Sequence, residues 1–425
     1  MKRIIFRINL HFAIAVILAG IILPLVVSSA EDKHKPITQE LITLLEKNPE
    51  IKTMLEKSIA KAREVNPDPK TNPVRNLSDY FNFIDRVSEM LPQDVLENEP
   101  LDTLFDQIDQ GLDYFHFLIN QPLPELEGKG LFQNTLQYYE PFSSWLRKFF
   151  RTWGAYLNTE KSWNEKIYQR FYNDPRFGLQ KGWYESPDNW KTFNQFFARR
   201  LKSPDMRPIA APDDPAVVVS PADSIPQGVW AIDKNSNIKV KNGLKVKRDT
   251  YYSIKDLLGK DSKYKDSFAN GVLTHTFLNV EDYHRYHFPV SGTVKEMKII
   301  EGNVVDLDVW DPKQRKYVDL TYLTGWQFFQ TRGYVIVDTG KYGLVAVIPV
   351  GMSAVSSVNF EDSVKVGGTY KKGDPLGYFL FGGSDIIMLF QEKAKFKLTA
   401  PKEGKNYKHL LMGEKYGVMR GKGSQ

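Results

Sequence analysis

Apolar residues recur at helical spacing from Ile37 onward. Ile37, Leu41, Leu44 and Leu45 fall on one face, and Ile51, Met54, Leu55 and Ile59 fall on the next. Asn48-Pro49 between them predicts an N-cap followed by proline at the first helical position. Three prolines between Asn66 and Pro73 mark a loop. Leu101, Leu104, Phe105, Ile108, Leu112 and Phe115 predict a further amphipathic helix, and residues 142–172 are aromatic and mostly helical. After Pro212 the texture changes to short β-branched runs: Ala216–Ser220, Ile238–Val240, Gly292–Ile300, Tyr334–Asp338, Leu344–Val350, Ala354–Asn359 and Ile386–Phe390. Gly, Pro, Asp and Asn separate them, and Asp338–Gly343 has the composition of a hairpin turn. Helix in this half is expected only near Tyr252–Leu258 and Trp190–Leu201. The pattern predicts an α+β chain, with a helical N-terminal domain over 31–189 and a mainly antiparallel β domain over 190–425. Val350–Leu376 has the alternating strands and glycine turns of a carrier-like β-sandwich element.

Residues 1–30 follow a different rule. Lys2, Arg3 and Arg7 precede an uncharged run from Phe12 to Val27, which ends at Ser28-Ser29-Ala30 before Glu31-Asp32. This is the layout of a secretory signal, and the rival is an uncleaved N-terminal anchor. Either places the body of the protein outside the cytoplasm, periplasmic or at an extracytoplasmic membrane face. The segment holds three basic and no acidic side chains, so +3 of the chain's +6 charge belongs to the remainder. That balance tolerates an anionic lipid surface and is too weak and scattered to argue for nucleic acid. Cysteine is absent, which excludes disulfides, thiolate metal sites and a Cys nucleophile. Aromatics at 13% favour large packed cores or ring-lined clefts. Trp145, Phe149, Phe150 and Trp153 lie near Arg147, Lys148 and Arg151, and form either core or a lipid-docking rim.

Candidate chemistry sits in three segments. Ser220-Pro221-Ala222-Asp223 follows an apolar strand, where Asp is either a turn residue or a carboxylate that orients a histidine. Asp282-Tyr283-His284-Arg285-Tyr286-His287 belongs to a region holding three of the seven histidines. His284 and His287 can be metal ligands, packed hydrogen-bonded rings, or acid–base groups that titrate near neutrality. Pro289 and the strand after it argue against a helical ligand pair, and no third ligand is evident. Gly382-Gly383-Ser384-Asp385 lies between two apolar runs. It is either an ordinary turn or a strained backbone that lets Ser384 Oγ attack the Gly383 carbonyl.

Together these segments resemble the phosphatidylserine decarboxylase family. The resemblance spans residues 190–400, in order: Phe196–Leu201 with Arg207-Pro208-Ile209, Ser220–Asp223, Asp282–His287, Gln330-Thr331-Arg332, Val350-Gly351-Met352, Lys371–Asp374 and Gly382-Gly383-Ser384. The helical half resembles the N-terminal extension of a subgroup that includes fungal aromatic amino-acid decarboxylases. Asp385 stands where the family usually has Thr, and Ser224 where it usually has Gly. The resemblance implies a zymogen that cleaves itself between Gly383 and Ser384, with His287 as general base, Asp223 orienting it and His284 protonating carbon during turnover. It further implies a pyruvoyl group made from Ser384, with no metal and no pyridoxal phosphate. The ketone would take the substrate amine and act as electron sink. Arg285 would meet a phosphate or carboxylate, or be a structural ion pair.

The implied activity is conversion of phosphatidylserine to phosphatidylethanolamine and CO2 in phospholipid biosynthesis. A free, for example aromatic, amino acid is the alternative substrate. A third class is a non-enzymatic protein: an inactive relative that binds or supports, for which Asp385 is the reason, or a carrier domain with Lys365 as attachment point. Expected partners are a phospholipid and its membrane surface, and the protein's own α and β chains after cleavage. A homo-oligomer is compatible with the sequence.

Overall fold

Among the described residues the helical periodicity of the first half is realised in six helices: Pro36–Lys47, Pro49–Val65, Leu77–Val87, Leu104–Phe117, Phe142–Leu157 and Glu165–Asn173. The computed structural model describes residues 34–96, 103–240, 250–319, 326–351, 357–382 and 385–421. The expected export signal, Leu101, the first half of the expected Ala354–Asn359 strand, and Gly383 and Ser384 lie outside the described residues. Pro49 does open the second helix, but Asn48 makes no side-chain cap to it. Its amide instead donates to the Leu44 carbonyl at 2.7 Å and closes the preceding helix. Asn76, Thr103 and Asn164 make the N-caps of three other helices.

The β half is built on a seven-stranded antiparallel sheet. Its order is Thr369–Tyr370, Gly292–Ile300, Thr331–Asp338, Leu344–Gly351, Asp385–Phe390, Val272–Phe277 and Ile225–Ala231. The Asp338–Gly343 turn joins two of these as expected. Val335, Val337, Val345, Val347, Ile386 and Met388 line one face and belong to the same core as the helices. Ile336, Ala346, Ile348, Ile387 and Leu389 line the other, under Tyr252 and the short helix Ile254–Leu258. Both faces are covered, which is why the central strands read as continuous apolar runs rather than alternating ones. The expected Tyr252–Leu258 helix is shorter because Thr250–Ser253 is a strand, and the Trp190–Leu201 helix contracts to Phe193–Phe197.

Two three-stranded sheets and three two-stranded ribbons accompany the seven-stranded sheet among the described residues. Arg285–His287 pairs with Pro375–Tyr378, which pairs with Asn359–Phe360. Val217–Val219 pairs with Lys415–Met419, which pairs with Phe396–Leu398.

The aromatic helix Phe142–Leu157 is core, and the docking rim is overturned. Phe149, Phe150 and Trp153 are fully buried and Trp145 is 5% exposed. Phe149 stacks on Phe115 at 5.1 Å, and Trp153 meets Phe381 edge-on at 5.8 Å. Each such ring contributes about 1.5–3 kcal/mol by burial. The nearby cations are paired within the protein: Arg147 with Glu140, Lys148 with Glu40 and Arg151 with Glu301.

Candidate active site

Within the Asp282–His287 segment only Arg285–His287 is a strand; Asp282–His284 is irregular and nothing in it is helical, so its two histidines share no helical face. Three neighbours fix it. The His287 N–H donates to the Pro221 carbonyl at 2.8 Å, which joins it to the Ser220–Asp223 loop. The Pro375–Tyr378 strand pairs along its other edge, with Pro375 opposite His287 and Tyr378 opposite Arg285. A Cβ at Gly377 would collide with the Asn359 carbonyl and the Tyr286 ring, so only glycine permits this approach. Beyond it, the Phe379 N–H donates to the His284 carbonyl at 2.9 Å. The motif strand and the segment leading to Gly382 are therefore neighbours in space. Gly382 turns there with φ +91°, a conformation that favours glycine.

Both imidazoles are buried and each is fixed by a carbonyl. His287 Nδ1 lies 2.8 Å from the Gly373 carbonyl and His284 Nδ1 lies 2.9 Å from the Asp282 carbonyl. A carbonyl only accepts, so Nδ1 carries the hydrogen in both rings and Nε2 carries the lone pair. Burial pushes His287 down to about 4 and His284 to about 3, with Arg199 adding to the latter. Both are thus neutral at physiological pH and set as bases. Arg199 Nη2 donates to the carbonyls of Glu281 and Asp282, so it shares the Asp282 acceptor with His284. His284 stacks on Phe197 at 3.9 Å, and its Nε2 has no hydrogen-bond partner among the described residues. His287 Nε2 faces the Tyr283 hydroxyl at 3.2 Å, which donates to it.

Asp223 does not make the expected bond to His287. Its carboxylate is taken by Arg207, with Nε at 2.9 Å and Nη2 at 2.6 Å, and by the Met412 N–H at 2.8 Å. A fully buried guanidinium needs a counter-charge, and Asp223 supplies it in bidentate geometry. The orienting group on His287 is the Gly373 carbonyl, while the Asp223 charge acts on the ring at longer range. Ser224, the departure beside it, fits: its hydroxyl accepts from Thr276 at 2.7 Å and donates to the Ala222 carbonyl at 3.2 Å.

Arg285 is a structural ion pair. Its guanidinium binds Glu361, donates to the Ala198 carbonyl at 2.8 Å and lies over the Tyr378 ring. It borders a cavity of about 200 Å³ together with Arg200, Arg207, Tyr283, His287 and Glu361. Arg200 is the looser cation there, 3.7 Å from Glu361 and half exposed. Among the described residues no three His, Asp or Glu side chains are grouped so as to hold a metal ion.

The sequence reading missed Arg207 as the partner of Asp223, Gly373 as the carbonyl on His287, and His409, which pairs with Asp282 at 2.8 Å. Arg207 stood in a quoted motif, but nothing in its spacing pairs it with a residue sixteen positions on. Gly373 acts through its backbone, which leaves no trace in residue type.

The family profile for phosphatidylserine decarboxylase matches residues 193–418. The phosphatidylserine decarboxylase proenzyme of Fusobacterium nucleatum is 30% identical over 295 residues, covering 66% of this chain and 89% of that protein. Decarboxylase iboD of Amanita muscaria is 29% identical over 300 residues, covering 64% and 82%. Phosphatidylserine decarboxylase proenzyme 2 of rice is 35% identical over 209 residues, 49% of this chain but only 30% of that longer protein. With more than half of its length matched by the profile and a bacterial relative aligned almost end to end, the chain belongs to the phosphatidylserine decarboxylase family of carboxy-lyases.

Proposed function

We propose that the chain is a zymogen that cleaves itself between Gly383 and Ser384 and then decarboxylates phosphatidylserine to phosphatidylethanolamine. The observation that carries this reading is the pairing of the Arg285–His287 strand with Pro375–Tyr378, the strand that runs on to Gly382. It brings two neutral imidazoles to the approach of the scissile bond. The proenzyme names of the bacterial and rice relatives support it.

In the scission, an imidazole Nε2 takes the Ser384 Oγ proton and the oxygen attacks the Gly383 carbonyl. The C–N bond breaks as the ester forms. Elimination then removes the Ser384 α-hydrogen and breaks the Cβ–O bond, leaving a carboxylate on Gly383 and dehydroalanine at 384. Tautomerisation and hydrolysis release ammonia and leave a pyruvoyl group. The chain ending at Gly383 and the 42-residue chain 384–425 stay together as β and α. The surroundings fit such a group: Asp385, which would carry it, is fully buried at the start of a central strand between Leu344–Gly351 and Val272–Phe277. The pyruvoyl ketone, once present, supplies an electrophile for the substrate amine and a sink for the electrons released with CO2.

His287 is the base for Ser384 in the family assignment, with His284 serving turnover. A neutral His284 has no proton to give at rest. Its Nε2 lone pair accepts one from the substrate ammonium group and returns it to the carbon that loses CO2. Exchanged roles are favoured by one observation: His284, not His287, adjoins Phe379, and its Nε2 has no partner among the described residues. Scission of His284→Ala and His287→Ala separates the two assignments.

The cavity admits a head group and not two acyl chains. Each CH2 drawn into water costs about 0.8 kcal/mol, so the lipid keeps its chains at the bilayer and the enzyme works at the membrane face. Export to that face rests on the pattern of residues 2–30. Intact mass of purified protein tests scission: we expect a 42-residue fragment with a blocked start, and an intact chain in folded material overturns the reading. CO2 release from phosphatidylserine vesicles tests the substrate. Release from free tryptophan or tyrosine alone establishes the amino-acid decarboxylase, and no release from either establishes the inactive relative.

A further inference from the structure

The face of the central sheet away from the two motif histidines carries a third imidazole. His275, on the Val272–Phe277 strand, is 1% exposed, and its Nε2 binds Asp385 Oδ1. Asp385 is fully buried, and Gln327 Nε2 approaches its other oxygen at 3.3 Å. The register explains the contact. Asp385 lies opposite Phe277 and Ile387 lies opposite His275, so Asp385 and His275 are diagonal neighbours on one face. Their surroundings are apolar: Leu273, Val350, Ile387 and Phe328 belong to the cluster on that face. Among the described residues His275 Nδ1 has no hydrogen-bond partner.

A polar trio in an apolar cluster is costly to keep. Replacing such groups by apolar side chains of similar volume is often neutral or stabilising. Stability alone therefore gives no reason for His275 and Asp385 to stand here. Their place in the chain does, because Asp385 is the residue bonded to Ser384. Its side chain is the last anchor before the scissile bond on the downstream side. Burial pushes the Asp385 carboxyl up while His275 and Gln327 oppose that shift, so the carboxylate depends on both partners.

We propose that His275 and Gln327 are positioning residues for self-cleavage: by gripping Asp385 they fix the amide that carries Ser384. This inference rests on the self-cleavage reading above. It assigns the trio no contact with substrate. Its effect is on the orientation of Ser384 toward Gly383, where a displacement of about 1 Å can cost a hundredfold in rate.

The test follows appearance of the 384–425 fragment by intact mass in freshly refolded chain at 25 °C, beside thermal melts of the same samples. His275→Leu/Asp385→Leu removes the grip and keeps the volume. We expect it to melt no lower than the parent and to cleave at least about tenfold more slowly, a rise of about 1.4 kcal/mol in the barrier. His275→Gln/Asp385→Asn keeps hydrogen-bonding groups without the charge, and is expected to cleave within about threefold of the parent. Parent-like scission in the leucine pair overturns the proposal. So does a tenfold loss in the amide pair, which also decides the matter if the leucine pair does not fold. A parent chain that never cleaves refutes the self-cleavage reading instead.

Discussion

The two flanks of the Gly383–Ser384 bond are held by different physics. Upstream, Phe379–Gly382 runs off an edge sheet of three short strands. It is pinned by single bonds, from the Phe379 N–H to the His284 carbonyl, from the Leu380 N–H to Ser357 Oγ at 2.9 Å and from the Phe381 N–H to Asn194 Oδ1 at 3.1 Å. The Phe381 ring adds edge contacts to Trp153, Phe193 and Phe197. Downstream, Asp385–Phe390 is a central strand hydrogen-bonded on both sides and buried at every position. A bond cut between such flanks leaves one end that can yield and one that cannot. The end that cannot yield is the one that would carry the new terminal group, so the proposed scission would leave that group in a preorganised place.

The largest expected effect tests whether the bond between these flanks reacts at all. Ser384→Ala keeps both flanks and removes the attacking hydroxyl, and no 42-residue fragment should form over days by intact mass. A fragment starting elsewhere would show that a protease, not the junction, does the cutting.

The upstream flank depends on rings, and Phe381→Ala against Phe149→Ala sharpens that difference. Both remove a buried phenyl ring and should cost about 3–5 kcal/mol in urea unfolding. Only Phe381 adjoins the junction. Scission of the folded protein should slow at least about tenfold in Phe381→Ala and stay near the parent rate in Phe149→Ala. Equal slowing in both would make the effect one of stability alone.

The same contrast explains what was legible beforehand. Helices such as Pro36–Lys47 and strands such as Gly292–Ile300 announce themselves by period, because one local rule decides which side is buried. The downstream strand was readable as an apolar run. Val272–Phe277, which carries His275, was not, because a threonine-and-histidine strand buried on both faces breaks the alternation. The site's reactive types, Ser384, His284 and His287, stood out by motif. Their partners did not. Asp223 was expected on His287 and went to Arg207, since the nearest counter-charge to a buried guanidinium is set by tertiary packing. Likewise the rings of Trp145 and Phe149 carry the same sequence signal whether they face lipid or core.

Acidification probes the upstream side through its two imidazoles. Burial holds His287 near 4 and His284 near 3, below the usual 6.5. A depressed folded value means folding favours the neutral ring. That contribution is fully present above pH 6.5 and is lost as pH falls through about 4. Scission rate should therefore be level between pH 7 and about 5, with its acid limb near 4. An acid limb centred on 6.5 would mean that the working imidazole is solvated, and would undo the picture of a buried base.

The smallest effect concerns what ties the two flanks together once the bond is cut. Asp282 lies upstream of it and His409 downstream, and their ion pair at 2.8 Å would span the two chains. Burial lowers His409, but the Asp282 carboxylate outweighs it and the ring is shifted up. Asp282 is shifted up as well, because burial exceeds the help it receives from His409 and the Asn279 N–H. Both folded values lie above their unfolded ones, so protonation favours the folded state. The His409 contribution is complete below its unfolded value near 6.5 and fades as pH rises through the raised one. The imidazole is about one-third exposed, so screening holds the gain under about 1 kcal/mol. His409→Gln should then lower the melting temperature by at most about 2 °C at pH 6 and by nothing measurable at pH 8.5. A penalty that grows with pH would show that the pair is held by a neutral hydrogen bond, and that the clasp between the flanks is not electrostatic.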